Sequence, residues 1–441
     1  MNRPKDGSVN YRPSKYESPD VTKMQGYTLR IAAAPGDEVP FQMTTGASHY
    51  DVTYRRLGET GGVLGERKGM PGRVQACPER AWETGCGWET DFFWVVPESF
   101  RSGLYAAECT DANGETFHVT FVITPRSDRR GEVAVLASTN TWNAYNSWGG
   151  MSAYSKPCPK ALSLDRPMPS ASPSGTGRSH LVRAELWVLD WLERAGYEVD
   201  VYSDEDLHRG WAWLQNYRAL VINTHGEYWS GPMRDHLDAY LNAGGSLLYL
   251  SGNGVYWKVT YDPTCRVMEV RKEGGPHHQN GEAGGLWRSV GRPEHAVLGV
   301  GYVRPGYMSF APYMVEDASH WVFKGAGVKN GDLVGREGIN GGSASGWETD
   351  QSDERSPKNL RVLARGLNPE DYMGQRMSAQ YPDPAYRWDG RGGGHMTYYD
   401  HPGGGGVFAV GSIAFGGSLV VDPALQRIVR NVLERFLGRP T

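Results

Sequence analysis

The sequence predicts a doubly wound parallel α/β sheet that follows a smaller all-β sandwich. Two observations support this fold class: short alternating apolar runs recur before residue 125, and apolar strand-like runs alternate with amphipathic helical stripes after residue 131. A third observation is the content of 58 glycines, 15 tryptophans and 24 tyrosines in 441 residues, which is typical of a loop-rich globular protein and not of a disordered one. At about 150 residues per domain, this length predicts two or three domains.

Charge and cysteine content exclude several classes of protein. The 46 basic and 50 acidic residues give a net charge of −4, without the positive excess of proteins that bind nucleic acids or anionic membranes. No apolar run approaches the roughly 20 residues of a membrane helix, and the first residues contain no apolar signal-peptide core. Five cysteines do not indicate a disulfide framework. We therefore expect a soluble cytoplasmic protein without nucleic-acid or membrane partners.

The first predicted domain is a β-sandwich of residues 26–125, which follows an N-terminal arm of residues 1–25. Alternating runs predict strands at residues 27–33, 38–44, 50–57, 103–110 and 117–124. Their spacing and the intervening Gly, Pro and Asp turns favour an immunoglobulin-like sandwich. Residues 58–94 are rich in glycine and are predicted to form a long loop. A charged linker ends this domain at residue 131.

The second predicted domain spans residues 131–441 and contains the parallel sheet. Residues 132–138, EVAVLAS, form an apolar run of the kind that a strand buried on both faces needs. Further strands are predicted at residues 197–202, 219–224, 246–251 and 406–413, and helices at 181–195, 230–243 and 423–437. Strands that alternate with helices favour a parallel α/β sheet. Residues 256–400 have a weak, glycine-rich pattern, which we interpret as long excursions that cover a site.

The common catalytic motifs are missing from this sequence. The segment nearest to a nucleophile elbow is residues 250–254. The motif needs a glycine two residues before its serine, and Tyr249 occupies that position. The sequence contains no phosphate-binding loop, no His-Glu-x-x-His and no Cys-x-x-Cys. A serine or cysteine nucleophile, a nucleotide-binding fingerprint and an ordinary zinc site are therefore unsupported.

Three polar and aromatic segments follow predicted strands of the α/β sheet. They are residues 141–150 (TWNAYNSWGG), 225–230 (HGEYWS) and 251–257 (SGNGVYW). Ligands of such sheets bind beyond the carboxyl ends of the strands, so we expect the three segments to meet. His225 and Glu227 are two residues apart and face the same side of an extended backbone. A carboxylate and an imidazole in this arrangement can serve as a metal ligand and an acid/base partner.

Each of these residues also has a purely structural interpretation. Glu227 can stabilise the N-terminus of the helix that begins at residue 230. His225 can be a hydrogen-bonded buried histidine, and Tyr145 can be a core aromatic residue that packs a long loop. Asn253 lies between two glycines and can be a turn residue with a positive φ. The functional interpretation rests on the convergence of three strand ends at one sheet edge.

The three segments resemble the large (beta) subunit of N,N-dimethylformamidase and its relatives. This resemblance implies a glutamine-amidotransferase-like α/β domain without the cysteine of that fold. It implies a hydrolase that cleaves the C–N bond of a small N-substituted amide such as N,N-dimethylformamide. It also implies a homo-oligomer, with a small accessory subunit as an option. Two alternatives remain open: an amidohydrolase for a larger amide or carbamate, and a non-catalytic binding protein on the same scaffold.

The resemblance further implies a single ferric ion per chain, held by two tyrosines and a glutamate. Tyr145 and Glu227 match two of these ligands directly, and Tyr105 in the sequence Ser-Gly-Leu-Tyr matches the third. Phenolate and carboxylate are hard anionic donors, which suit Fe³⁺ better than zinc. Three protein ligands leave coordination positions open for water and substrate.

The remaining catalytic residues are assigned through the same resemblance. His225 and Asn253 match polar groups around the iron, and we expect them to donate hydrogen bonds to a developing oxyanion. A downstream glutamate of the family has two candidates here, Glu348 in GWETD and Glu337 in GREG. We favour Glu348 as the general base that activates water and then protonates the leaving amine.

Overall fold

The computed structural model describes residues 19–126, 128, 130–174, 179–369 and 391–440. Most of the predicted N-terminal arm, residues 1–25, lies outside these ranges. Within them, no helix is both long and apolar enough to cross a membrane. All five cysteines fall in the described ranges, and each is a free thiol.

Eight strands and one short helix form the N-terminal part of the structure. They are β1 (Gln25–Thr28), β2 (Ala32–Ala33), β3 (Glu38–Thr44), β4 (His49–Arg56), β5 (Gly62–Pro71), α1 (Ala81–Thr84), β6 (Phe92–Val95), β7 (Gly103–Asp111) and β8 (Thr116–Ile123). The strands form one sheet in the order β1-β3-β6 and a second in the order β2-β8-β7-β4-β5. Both sheets contribute to one apolar core, which includes Phe41, Val52, Trp94 and Phe121.

The long loop predicted for residues 58–94 is wrong, because this segment contains β5, α1 and β6. Strand β5 pairs only with β4, so it is an edge strand, and most of its residues are exposed. Its sequence, GVLGERKGMP, lacks the apolar alternation that marks a half-buried strand. Charges on an edge strand discourage pairing with other chains, and here they also conceal the strand from pattern analysis.

Eighteen strands follow among the described residues of the C-terminal part. They are β9 (Val133–Ala137), β10 (Ala161–Ser163), β11 (Val199–Ser203), β12 (Ala219–Thr224), β13 (Tyr228–Ser230), β14 (Ser246–Ser251), β15 (Trp257–Tyr261), β16 (Val267–Val270), β17 (Gly285–Leu286), β18 (Gly301–Val303), β19 (Phe310–Ala311), β20 (Tyr313–Val315), β21 (Leu333–Val334), β22 (Ser345–Gly346), β23 (Thr349–Gln351), β24 (Arg361–Gly366), β25 (His395–Asp400) and β26 (Gly406–Ala409). The helices are α2 (Thr139–Tyr145), α3 (Val182–Arg194), α4 (Asp204–Arg209), α5 (Gly231–Asn242), α6 (His295–Leu298), α7 (Phe415–Leu419) and α8 (Pro423–Phe436).

The predicted fold class, a doubly wound parallel sheet after an immunoglobulin-like sandwich, is wrong. The main sheet has nine strands in the order β11-β9-β12-β14-β26-β25-β24-β20-β21. The first five strands in this order, from β11 through β26, are parallel to one another. The other four, β25, β24, β20 and β21, pair antiparallel. The sheet is therefore mixed, and strands outweigh helices in the described chain. The four antiparallel strands come from the glycine-rich region that we interpreted as excursions. Strands β20 and β21 are too short to show a period, and β24 and β25 have six residues each but lack the continuous apolar run of β12 and β14.

The parallel strands β9, β12, β14 and β26 are fully buried because the sheet is covered on both faces. Alternate residues of β9 enter two different cores: Val133 and Val135 pack with α3 and α8, whereas Ala134 and Leu136 pack with α5. A strand that contributes to two cores must be apolar at every position, which explains the continuous run EVAVLAS.

The N-terminal sheets pack directly against the C-terminal part. The Ser102 hydroxyl accepts a hydrogen bond from the Val201 amide at 2.8 Å and donates one to the Ile123 carbonyl at 2.8 Å. Leu104 and Val122, from β7 and β8, join the same core as α3. The core is thus shared between the two parts, and the boundaries 26–125 and 131–441 remain predictions.

A buried glutamate, Glu185 of α3, connects this helix to α2. Its carboxyl accepts a hydrogen bond from the Trp142 indole at 2.8 Å, and only 1% of the residue is exposed. Burial raises the pKa of Glu185 from 4.5 to about 8. The folded chain therefore keeps a proton that the unfolded chain releases.

This proton predicts a specific pH dependence of stability. The folded-state pKa is raised, so the contribution of Glu185 falls as pH rises from 4.5 towards about 8, by about 1.4 kcal/mol per pH unit. We expect Glu185→Gln to flatten the plot of unfolding free energy against pH in this window. Urea unfolding at several pH values measures the slope, with the exposed Glu354→Gln as control. Parallel curves for Glu185→Gln and the parent chain would contradict the assignment.

Candidate active site

The candidate site lies at the carboxyl ends of three parallel strands. Helix α2 follows β9 and carries Tyr145, while His225 and Glu227 follow β12, and Asn253 follows β14. Glu348 joins them from the short connection between β22 and β23. The structure thus brings together five of the six predicted site residues, which extend from position 145 to position 348 of the sequence.

The polar side chains of this cluster are in direct contact. The Asn253 amide donates a hydrogen bond to Glu348 Oε2 at 2.8 Å and lies 3.4 Å from Glu227 Oε1. His225 Nε2 lies 3.3 Å from Glu348 Oε2 and 3.5 Å from Glu227 Oε2. The Glu348 side chain is 12% exposed, against 3% for Glu227 and 1% for His225. Glu348 is therefore the carboxylate that water and substrate reach most easily.

A second tyrosine, Tyr154, enters the cluster beside Tyr145. The two rings lie 4.3 Å apart. The Tyr154 hydroxyl donates a hydrogen bond to Glu227 Oε2 at 2.6 Å and accepts one from the Tyr228 hydroxyl at 3.0 Å. Sequence analysis missed Tyr154 because it lies in an irregular segment where no spacing distinguishes it from other loop tyrosines.

The structure places Tyr105, the other predicted ligand, outside this cluster. Its ring stacks between Phe100 and Phe121 in the core of the N-terminal sheets. Its hydroxyl donates a hydrogen bond to the Arg101 carbonyl at 2.6 Å. Strand alternation explains this placement, because Tyr105 occupies an inward position of β7. The structure therefore does not bring Tyr105 to the other predicted ligands, and Tyr154 is the second tyrosine that lies beside Glu227.

The structure also separates the two candidates for the general base. Glu337 is exposed on the surface, whereas Glu348 contacts both His225 and Asn253. The amide nitrogen of Asn253 is directed at carboxylates, so its predicted role as an oxyanion donor is revised. In this arrangement, Asn253 holds Glu348 in place.

Strained backbone is concentrated around the site. Thr224, Asn253, Val255 and Trp347 all have positive φ angles between 49° and 67°. Such values are uncommon for residues other than glycine, and for the β-branched Thr224 and Val255 they are costly. Each of the four is a site residue or lies within two residues of one. This backbone geometry supports a functional role for the cluster.

Asp350 anchors the strained turn that carries Asn253. One carboxyl oxygen accepts a hydrogen bond from the Asn253 backbone amide at 2.8 Å, and the other accepts one from the Tyr249 hydroxyl at 2.7 Å. Burial raises the pKa of Asp350 to about 7. Tyr249, which replaces the glycine of a nucleophile elbow, thus supports the turn instead.

Oxygen groups crowd the interior of the site. Burial raises the pKa values of the Tyr145 and Tyr154 phenols well above the ordinary value, and the charge of Glu227 reinforces both shifts. Burial also raises the pKa of Glu227. For His225, burial lowers the pKa, but the neighbouring Glu348 and Glu227 outweigh it, so the pKa is raised. A bound cation would relieve this crowding of acidic groups.

The donor set fits a hard metal ion that is bound partly by phenol oxygens. In the described ranges, no group of three or more His, Cys, Asp and Glu side chains is arranged to hold a metal. Tyr145 and Tyr154 instead pack ring against ring, and the Tyr154 hydroxyl bonds to Glu227, so one cluster offers three oxygen donors. His225 Nε2 and Asn253 Oδ1 are buried in the same cluster without hydrogen-bond partners. Such atoms are rare in folded proteins unless a ligand or water satisfies them.

Two curated proteins are similar to this chain over most of its length. The chain is 28% identical over 425 residues to an N,N-dimethylformamidase beta subunit of Alcaligenes sp, covering 80% of this chain and 54% of that protein. The match to the beta subunit of Paracoccus aminophilus is 28% over 428 residues, with the same coverage. The chain thus spans about half the length of these curated relatives.

Among solved structures, a Paenibacillus cycloisomaltooligosaccharide glucanotransferase covers 68% of this chain and is itself covered to 62%, at 9% identity. Its TM-score of 0.18 is too low to support any argument about fold. Residues 49–427, in contrast, match the family described as N,N-dimethylformamidase beta subunit-like, C-terminal. The chain belongs to this family.

Proposed function

We propose that the protein is an iron-dependent amide hydrolase that cleaves the C–N bond of a small N-substituted amide. The observation that carries this proposal is the hydrogen bond from the partly exposed Tyr154 to the buried Glu227, beside Tyr145 and within reach of Glu348 and His225. The names of the curated relatives support N,N-dimethylformamide as the first substrate to test.

Tyr145, Tyr154 and Glu227 would hold one Fe³⁺ ion per chain. All three are oxygen donors that carry negative charge when they are bound to a metal, which suits a hard, highly charged cation. When bound, such an ion supplies Lewis acidity, which polarises a carbonyl group and lowers the pKa of a bound water.

Glu348 is the proposed general base. Its carboxylate accepts a proton from the water that attacks the amide carbonyl carbon, and it returns this proton to the amine nitrogen as the C–N bond breaks. The Asn253 amide fixes one oxygen of Glu348 at 2.8 Å. His225 Nε2 has no hydrogen-bond partner and points into the same space, so it can donate to the carbonyl oxygen as negative charge develops there.

Assembly and compartment belong to the same proposal. The curated relatives are named beta subunits, which supports a protein that works as an oligomer, with itself or with an accessory subunit. The cytoplasmic location remains a prediction from the sequence.

Iron analysis and a substrate panel test the proposed function. We expect the purified chain to contain iron, to absorb visible light through phenolate–Fe³⁺ charge transfer, and to release amine from N-substituted amides. Measured rates on N,N-dimethylformamide, larger N-alkyl amides and carbamates then define the substrate class. A colourless protein that releases no amine would instead be a binding protein on this scaffold.

Paired substitutions test whether Tyr154 or Tyr105 is the second tyrosine ligand. We expect Tyr154→Phe to lower iron affinity by more than the roughly 10–100-fold that loss of an outer-shell partner costs. We expect Tyr105→Phe to leave iron content unchanged, because its hydroxyl contacts only the Arg101 carbonyl and neighbouring Arg56. Iron content and visible absorbance of both variants measure the difference. Loss of iron in Tyr105→Phe alone would restore the original assignment.

A further inference from the structure

A second histidine, His180, contacts the site residue His225 through a specific hydrogen bond. The two Nδ1 atoms lie 3.0 Å apart. The ring of His180 packs at 4.5 Å from Tyr145 and at 5.1 Å from Trp347. His180 lies two residues before α3 and outside the motifs that suggested the site, so sequence analysis did not single it out.

The hydrogen bond between two Nδ1 atoms constrains where the protons lie. One nitrogen must carry a proton and the other must offer a lone pair, because a neutral imidazole has one nitrogen of each kind. His225 Nε2 faces the carboxylates of Glu348 and Glu227 at 3.3 and 3.5 Å. Ionised carboxylates only accept hydrogen bonds, so they favour a proton on this Nε2. In its neutral form, His225 then accepts at Nδ1 and His180 is the donor. A cationic His225 would donate from Nδ1 to His180 and would also keep its proton on Nε2.

We propose that His180 is a positioning residue that holds His225 in the tautomer with its proton on Nε2. The second ring nitrogen of a functional histidine commonly sets its tautomer in this way. With Nδ1 of His225 engaged by His180, the Nε2–H group is directed into the site, towards Glu348 and Glu227. The catalytic consequence rests on the proposed function: His225 is then ready to donate to the substrate carbonyl oxygen.

Loss of the donor would release this constraint. Without His180 Nδ1–H, the Nδ1 of His225 becomes a buried lone pair without a partner, and the tautomer protonated at Nδ1 gains in population. A bare Nε2 lone pair would then face the substrate oxygen and the two carboxylates. Repulsion among these acceptors would slow the chemical step more than it would weaken substrate binding.

Three substitutions separate hydrogen bonding from packing. His180→Phe keeps a ring against Tyr145 and Trp347 but removes the donor. His180→Asn places an amide nitrogen near the position of Nδ1, and His180→Gln places it near that of Nε2. We expect Phe and Gln to lower kcat by about 10–100-fold with little change in KM, and Asn to restore most of the activity. Thermal unfolding of each variant monitors the fold.

A double-mutant cycle tests whether His180 acts through His225. We expect His180→Phe to cost nothing further in a His225→Ala background, because the interaction it removes is already lost. An equal loss in both backgrounds, full activity of His180→Phe, or failure of Asn to restore activity would each overturn the proposal.

A tautomer measurement distinguishes failure of the positioning role of His180 from failure of the proposed amide hydrolase activity. ¹⁵N NMR of histidine-labelled full-length protein, with metal removed by chelation, reports which nitrogen of His225 carries the proton. We expect Nε2–H in the parent chain and in His180→Asn, and a shift towards Nδ1–H in His180→Phe. An unchanged tautomer in His180→Phe would overturn the positioning role. A parent chain that hydrolyses no amide would overturn only the proposed function.

Discussion

We expect Glu227→Gln to abolish both iron retention and amide hydrolysis while the chain remains folded. Glu227 accepts a hydrogen bond from Tyr154, a candidate tyrosine ligand, at 2.6 Å. Glutamine has the same shape but no charge, so it removes one of three anionic donors with little change in volume. Unlike a carboxylate, the neutral amide would not attract a trivalent cation to this buried position.

Metal analysis, visible spectra and amine release on the purified variant check this expectation. Tyr145→Phe removes a second proposed ligand and should give the same loss. The exposed Glu337→Gln is the matched control, because it makes the same chemical change outside the site. Full iron occupancy in Glu227→Gln or in Tyr145→Phe would contradict the proposed ligand set.

Glu348→Gln should keep the iron and its colour but lose activity by about 10²–10⁴-fold, the range typical of general acid–base catalysis. Glu348 is outside the proposed ligand set, yet it contacts Asn253 and His225 and is the more exposed of the two carboxylates. Glutamine preserves an acceptor oxygen for the Asn253 amide but cannot take a proton from water. The loss should therefore appear in kcat while iron content stays constant.

The same measurements on Glu337→Gln complete this experiment. Its side chain is exposed and lies away from the cluster, so we expect normal turnover. Normal turnover of Glu348→Gln would remove Glu348 from the mechanism. Loss of iron from Glu348→Gln would instead make it a metal ligand and would require a different base.

Most of the candidate site could be predicted because it lies where strands end. His225, Glu227 and Asn253 follow strands with strong apolar patterns, and parallel strands present their carboxyl ends at one edge. Tyr105 and Tyr154 could not be distinguished in this way. The direction in which the Tyr105 ring points depends on the register of β7 within its sheet, and the position of Tyr154 depends on a loop without periodicity.

The fold was predictable only where each strand contributes to a core on both faces. Strands β9, β12 and β14 have this property and show as continuous apolar runs. The antiparallel strands β20 and β21 have only three and two residues, too few to establish a period. Their pairing is set by contacts between distant segments, which local pattern cannot reveal.

Because Glu348 lies between β22 and β23, the proposed base and the proposed metal ligands come from different segments of the chain. The proposed ligands lie in segments that follow β9 and β12, in the parallel half of the main sheet. The proposed base instead lies between β22 and β23, two short strands that pair with β19 and β18. Substitutions in these small pairings can move the base without touching the ligands, and a displacement of about 1 Å can cost 10²-fold in rate. Relatives that share the iron ligands could therefore diverge in substrate and speed through this segment alone, so iron content and visible colour would be poor guides to which amide each of them cleaves.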